Sequence, residues 1–191
     1  MARPRNEQLK KRIIEVVKEQ FYKRGYNKTS YRSIAEECGI SRALVQYHFP
    51  KKESLAEAFM TDILDECMDE LNLTNSDLIE NFEAIKSVGV LFFNKLLKNQ
   101  GSRLFLQDVL QNRDMTENIL AFNFEWALSH AIDNFESKTS DVNLRRNIVL
   151  HMGGFYELLY WSLCNKEQMD VELELSRVVN AFAEELLEKC L

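Results

Sequence analysis

The chain has 191 residues, 46% of them hydrophobic, with only 6 Gly and 2 Pro. That is enough apolar mass for a packed core and too few chain breakers for a turn-rich β protein. The net charge of −6 hides an asymmetry: residues 1–56 hold 13 Lys and Arg against 6 Asp and Glu, whereas the remainder holds 11 against 24.

Phosphate attraction acts over about 10 Å at ordinary salt, so the basic front segment counts for more than the acidic total. Cys38, Cys67, Cys164 and Cys190 form no CxxC pair and no zinc-spaced Cys/His cluster, and they read as reduced, mostly buried thiols. The N-terminus is charged and polar, unlike a signal segment, and no apolar run reaches the ~18 residues of a membrane span. The expectation is a cytoplasmic protein with no metal, no cofactor and no membrane partner.

In chain order, the spacing of Leu9, Ile13, Val16, Val17 and Phe21 predicts a first helix over 7–24. Lys23 and Arg24 suit its negative end, and Gly25 stops it. Thr29 and Ser30 are cap residues for a second helix over 31–38, with Ile34 and Ala35 facing inward. Gly39 ends that helix, Ile40 is the apolar residue of the turn, and Ser41 caps a third helix over 42–48 that points Leu44 or Val45 at the core. Phe49 and Pro50 end it. Two short helices joined by a turn containing Gly form the helix-turn-helix pattern. The pattern alone is weak; the basic charge around it points to DNA.

The rest predicts helices over 52–71, 78–99, 102–112, 115–137, 142–164 and 171–190, with polar breaks at 72–77 and 138–141. The 115–137 segment is apolar on most sides and is placed in the interior. The fold class is all-α with about nine helices: a three-helix N-terminal domain, 1–52, and a helical C-terminal domain, 53–191. No internal repeat, low-complexity tract or linker divides it. A nucleophile elbow, an HExxH motif, a Gly-rich phosphate loop and carboxylates clustered around a His are all missing, so an enzyme is not expected.

The stretch 13–55 resembles the DNA-binding domain of the TetR family of transcriptional repressors. The resemblance is carried by Phe21, Gly25-Tyr26, Thr29-Ser30, Ile34-Ala35, Gly39-Ile40-Ser41, Tyr47-His48-Phe49 and Lys52-Glu53-Ser54-Leu55. Two positions depart from it. Gln46 stands where the family usually has Tyr, and Lys51 where a small capping residue is common. Beyond residue 55 the resemblance extends only to length and helix count. It implies a C-terminal domain for ligand sensing and dimerisation.

In this reading the third helix enters the major groove, anchored by Val45 and Phe49, and presents Arg42, Ala43, Gln46 and Tyr47 to the bases. Arg42 suits guanine, Gln46 suits adenine, and Ala43 suits a thymine methyl, each bidentate pair giving ~1–3 kcal/mol of discrimination. Phosphate alone is the other partner open to Arg42. Thr29, Tyr47, His48 and Lys52 are the expected phosphate contacts, with a packed core role open for His48. Arg3, Arg5, Lys10, Lys11 and Arg12 read as a basic arm or as a solvated tail.

The family further implies a homodimer through the eighth and ninth predicted helices, a palindromic operator in double-stranded DNA, and release by a small apolar or aromatic effector. The candidate pocket residues are Phe92, Phe93, Phe105, Phe122, Trp126, His130, His151, Tyr156 and Tyr160, with Trp161 beside them; the same aromatic stripe also reads as plain core. Two alternatives remain open: an architectural or cell-division DNA-binding factor without an effector, and a module that uses its helix-turn-helix to bind protein.

Overall fold

Local capping chemistry sets the helix bounds. The computed structural model describes residues 4–121 and 141–188. The helices are α1 (Pro4–Arg24), α2 (Tyr31–Cys38), α3 (Arg42–His48), α4 (Lys52–Leu71), α5 (Asn75–Glu80), α6 (Phe82–Leu97), α7 (Gln100–Leu110) and α8 (Arg113–Met115). A π-helical stretch, Thr116–Ala121, continues α8, and α9 (Asp141–Asn165) and α10 (Val171–Glu188) follow. Helices α2, α3 and α4 have the bounds their caps and glycines predict. No helix among the described residues is long and apolar enough to cross a membrane.

The single helix expected over 78–99 is instead two. Thr74 and Asp77 form a capping box that starts α5 early. Asn81 then leaves the helix, with φ −144° and ψ 111°, and its side chain accepts the Glu83 N–H at 2.8 Å to begin α6. The helix expected from 115 starts at Arg113, where the Asn112 side chain accepts the Met115 N–H at 3.3 Å. It passes into the π-helical stretch at Thr116, whose hydroxyl donates to the Val109 carbonyl at 3.1 Å. Most of that expected helix, and with it Phe122, Trp126 and His130, lies outside the described residues, as does Cys190.

One core runs through the chain. Ile13, Val17 and Phe21 of α1 join Leu55, Phe59 and Ile63 of α4, Phe93 and Leu96 of α6, and Phe105, Leu106 and Val109 of α7. The boundary expected after residue 52 falls at the start of α4, and the core is continuous across it. Cys38 and Cys67 are buried, and burial pushes the Cys67 thiol up to about 11; Cys164 is exposed on α9.

Helices α1 and α7 pack unusually closely because Gly101 faces the α1 backbone. A Cβ at that position would lie 1.9 Å from the Tyr22 carbonyl oxygen. The neighbour is backbone, so only movement of a whole helix relieves the overlap. Gly101→Ala is therefore expected to cost about 3 kcal/mol or more. Urea denaturation checks this, and an unchanged midpoint would refute the close packing of α1 on α7.

Candidate nucleic-acid interface

The α2–turn–α3 unit is built from short-range hydrogen bonds. The Ser30 hydroxyl accepts the Ser33 N–H, and the Ser33 hydroxyl accepts the Ser30 N–H, both at 3.1 Å. At the other end of α2, Gly39 takes φ +64°, a left-handed conformation that costs a residue with a side chain about 1 kcal/mol or more. The Ile40 N–H then reaches the Ala35 carbonyl at 3.0 Å and closes the helix. Ser41 starts α3, its hydroxyl accepting the Leu44 N–H at 3.2 Å.

Helix α3 is thereby fixed with one face inward and one outward. Val45 and Phe49 are buried, and Leu44 is half-buried. The Tyr31 hydroxyl donates to the Phe49 carbonyl at 2.8 Å and ties the end of α3 to α2. Arg42, Ala43 and Tyr47 are exposed, Tyr47 at 73%, while Gln46 is half-buried at the margin.

A second polar layer locks α2 to α1. Gln20 is buried; its amide nitrogen donates to Glu37 at 2.6 Å, and its amide oxygen accepts the Ser33 hydroxyl at 2.7 Å. Neither Gln20 nor Tyr31 stands out in the sequence. The one available signal is that Gln20 interrupts the buried run of Val17 and Phe21 with a group that needs partners.

The expected phosphate contacts occupy different settings. Thr29 is buried, and its hydroxyl donates to the Gly25 carbonyl at 2.9 Å, so this side chain shapes the turn; Ser30 is the exposed neighbour. His48 is half-buried against Tyr47, and its Nε2 is buried with no hydrogen-bond partner among the described residues. Lys52 lies with Nζ 4.1 Å from the Tyr26 ring centroid. Burial lowers its pKa, against the attraction of Asp108 and Glu53. Burial, reinforced by Glu53, raises the Tyr26 phenol well above its usual range. Lys10 sits over the Phe49 ring at 5.9 Å, which joins the basic part of α1 to the end of α3. Arg32 and Glu36 pair at 2.8 Å but are both exposed, so the pair contributes little.

Among the described residues, four of the aromatics expected around an effector, Phe92, Phe93, Phe105 and Tyr156, lie in the core. Phe105 packs at 4.8 Å from Phe21 and 4.7 Å from Phe59, at the junction with α1, and Phe93 packs at 5.0 Å from Phe155. Phe92 and Tyr156 are buried, His151 and Tyr160 are half-buried, and Trp161 is exposed. Tyr156 borders an open cleft of about 620 Å³ between the π-helical stretch and α9, lined also by Met152 and Gly153.

Among the described residues the chain is built from helices and turns, with a basic front segment folded as a helix-turn-helix and docked on a larger helical body, the architecture of helix-turn-helix DNA-binding proteins. Residues 13–59 match the bacterial regulatory proteins of the tetR family. Among curated relatives, the chain is 31% identical over 93 residues to the transcriptional regulator TtgR of Pseudomonas putida, covering 48% of this chain and 44% of that protein. It is 47% identical over 45 residues to the uncharacterized regulator YuxN of Bacillus subtilis, covering 24% and 16% of the two chains. The matched stretch thus spans less than half the length of these relatives. Solved structures extend the likeness of fold to the whole chain. A tetR-family regulator from Streptomyces coelicolor aligns at TM-score 0.60 and 17% identity over 99% of this chain and 91% of that one. A TetR regulator from Rhodococcus sp. RHA1 aligns at 0.62 and 16% over 93% and 96%. The chain thus carries a segment similar to the tetR family over residues 13–59, within a fold like that of solved TetR-family regulators.

The Tyr31 hydroxyl satisfies a backbone carbonyl just beyond the end of α3. Tyr31→Phe is expected to cost about 1 kcal/mol. Urea denaturation followed by circular dichroism checks the value, and an unchanged midpoint would show that the bond adds nothing.

Proposed function

We propose that this protein is a homodimeric repressor that binds a palindromic operator and is released by a small ligand. The observation that carries the DNA reading is the two-sided α3, with Val45 and Phe49 buried while Arg42, Ala43 and Tyr47 stand out in solvent. Side chains near the start of such a helix reach base edges in the major groove. Arg42 is the guanine reader, Ala43 packs on a thymine methyl, and Gln46 reaches an adenine from the margin. Tyr47 contacts sugar and phosphate as well as bases. Lys52 leaves the Tyr26 ring for a phosphate beside the start of α4, where Lys51 provides no side-chain cap and the first N–H groups are open. Ser30 takes the phosphate role expected of Thr29, and His48 supports Tyr47 by ring contact.

One seven-residue reading helix grips DNA weakly, so two copies act together. Leu150, Leu158 and Trp161 of α9 and Leu173 of α10 are exposed, Leu150 at 60% and Trp161 at 49%. The first three recur along one helical face, with Gly154 between them. An apolar stripe of this kind suits a four-helix contact with a second copy. The effector part of the reading is supported by one fold neighbour, the regulator FadR from Bacillus subtilis, solved in complex with stearoyl-CoA.

Selection of bound sequences from random duplex DNA tests the DNA reading, with a palindromic motif as the expected product. Arg42→Ala should relax one position of that motif at a cost of ~1–3 kcal/mol. Lys52→Ala should weaken all sequences alike and flatten the salt dependence by about one charge. An unchanged motif with Arg42→Ala would remove its base-reading role. For the dimer, Trp161→Glu should convert the protein to monomers in analytical ultracentrifugation and reduce operator affinity. A variant that sediments as a dimer would place the contact elsewhere.

A further inference from the structure

The turn from α6 into α7 and the turn from α9 into α10 together border an open groove of about 520 Å³. Its rim carries Lys98, Arg103 and Lys166, and its only carboxylate is Glu167. Leu163 and Met169 supply part of its apolar floor. This excess of cations stands out against the body around it, where residues 57–191 hold 11 Lys and Arg against 24 Asp and Glu.

The three cations are not spent on ion pairs. Nearby Lys95 is paired, with Glu70 at 2.8 Å, but Lys98, Arg103 and Lys166 have no carboxylate partner among the described residues. Arg103 is held in place by its Nε, which donates to the Leu97 carbonyl at 2.7 Å, so its terminal nitrogens stay available. Lys166 adopts φ +57°, in the left-handed region. The Glu167 N–H bonds the Ser162 carbonyl at 3.0 Å and closes α9 around it. Glycine would serve that turn without steric cost, so the chain keeps a cation at the groove in a conformation that favours glycine.

We propose that this groove binds an amphipathic anion, with a carboxylate or phosphate head among Lys98, Arg103 and Lys166 and an apolar part on Leu163 and Met169. A bare inorganic ion leaves the apolar floor unused, and a cationic or neutral amphiphile leaves the charges unused. Only the regulatory consequence depends on the effector reading above; binding itself does not. That consequence follows from the position of α7, which forms one wall of the groove and also packs on α1 through Gly101.

Isothermal titration of the full chain, below micellar concentrations, tests the site with four probes: dodecanoate, dodecyl phosphate, dodecyltrimethylammonium and inorganic phosphate. The first two should bind saturably, one per chain, and their ratio reports which head group is preferred. Inorganic phosphate should bind at least tenfold more weakly, and the cationic amphiphile should not compete. Lys166→Gly keeps the left-handed turn and removes one cation, and Lys98→Gln removes another. Each should weaken dodecanoate by about tenfold, the value of one charge-assisted contact. Lys86→Gln, outside the groove, should change nothing, and thermal melts should show all three variants folded. Equal binding of the anionic and cationic amphiphiles, or full affinity in both groove variants, would overturn the proposal. A parallel operator-binding assay separates the two readings. Dodecanoate that binds without altering DNA affinity upholds the groove and removes it as the effector site. Absence of dodecanoate binding overturns the groove even where another compound releases DNA.

Discussion

Phe21, Phe59 and Phe105 come from three different helices, α1, α4 and α7, and meet as one fully buried cluster with ring centroids 4.7–5.2 Å apart. This contact joins the helix-turn-helix unit to the body of the chain. Each ring is worth roughly 2–3 kcal/mol in burial alone, and the edge-on pairs of Phe59 with Phe21 and with Phe105 add about 1 kcal/mol each. The ion pairs on the same seam are weaker. Lys18 bridges Asp62 and Glu66 across α1 and α4, but both carboxylates are substantially exposed, so solvent screens much of their attraction. Burial disfavours the Lys18 charge, and the bonds to Asp62 and Glu66 outweigh it and raise its pKa. Packing therefore sets the position of α1, and the charges refine it.

Around that cluster the contacts become directional. The Asn27 backbone N–H donates to Asp108 at 2.9 Å and its side-chain amide donates to the same carboxylate at 2.6 Å, fastening the turn after α1 to α7. Lys52 lies over Tyr26 close by. Helix α4 has 20 residues, about 30 Å of rigid rod, and runs from the edge of α3 deep into the body. Two separate struts, α4 and α7, thus hold the base of the helix-turn-helix. Its orientation cannot change unless at least one of them moves.

The parts legible in the sequence are those governed by neighbours along the chain. Gly39, Ser41 and the Ser30 cap specify α2 and α3 to the residue because each signal acts within about one helical turn. The continuous apolar spacing of Leu78, Phe82 and Ile85 masked the break at Asn81, where a side-chain cap competes with periodicity and wins. Side-chain direction was less legible still. Thr29 has the right chemistry for a phosphate, but its hydroxyl is turned inward to Gly25. Phe105 has the right chemistry for a pocket, but the close approach at Gly101 draws α7 onto α1 and places its ring in the junction. Both outcomes depend on contacts between residues far apart in the chain, which composition and spacing do not encode.

The same dependence gives the far end of the body its importance. In the proposed dimer, the distance between the two α3 helices is set by how α7 and its strut partner α4 lean relative to α9 and α10, which carry the contact between copies. The cationic groove lies at the joint between these two groups, with Arg103 on α7 and Lys166 just after α9. Trp161 of the exposed stripe is one helical turn before that joint. In that proposal an anion held by both cations ties α7 to the α9–α10 turn, and α7 in turn meets α1 through a glycine backbone contact with no flexible side chain between them. Differential affinity for the two leanings is the only means by which such a ligand alters DNA binding, and a joint bordered by cations from both sides supplies it.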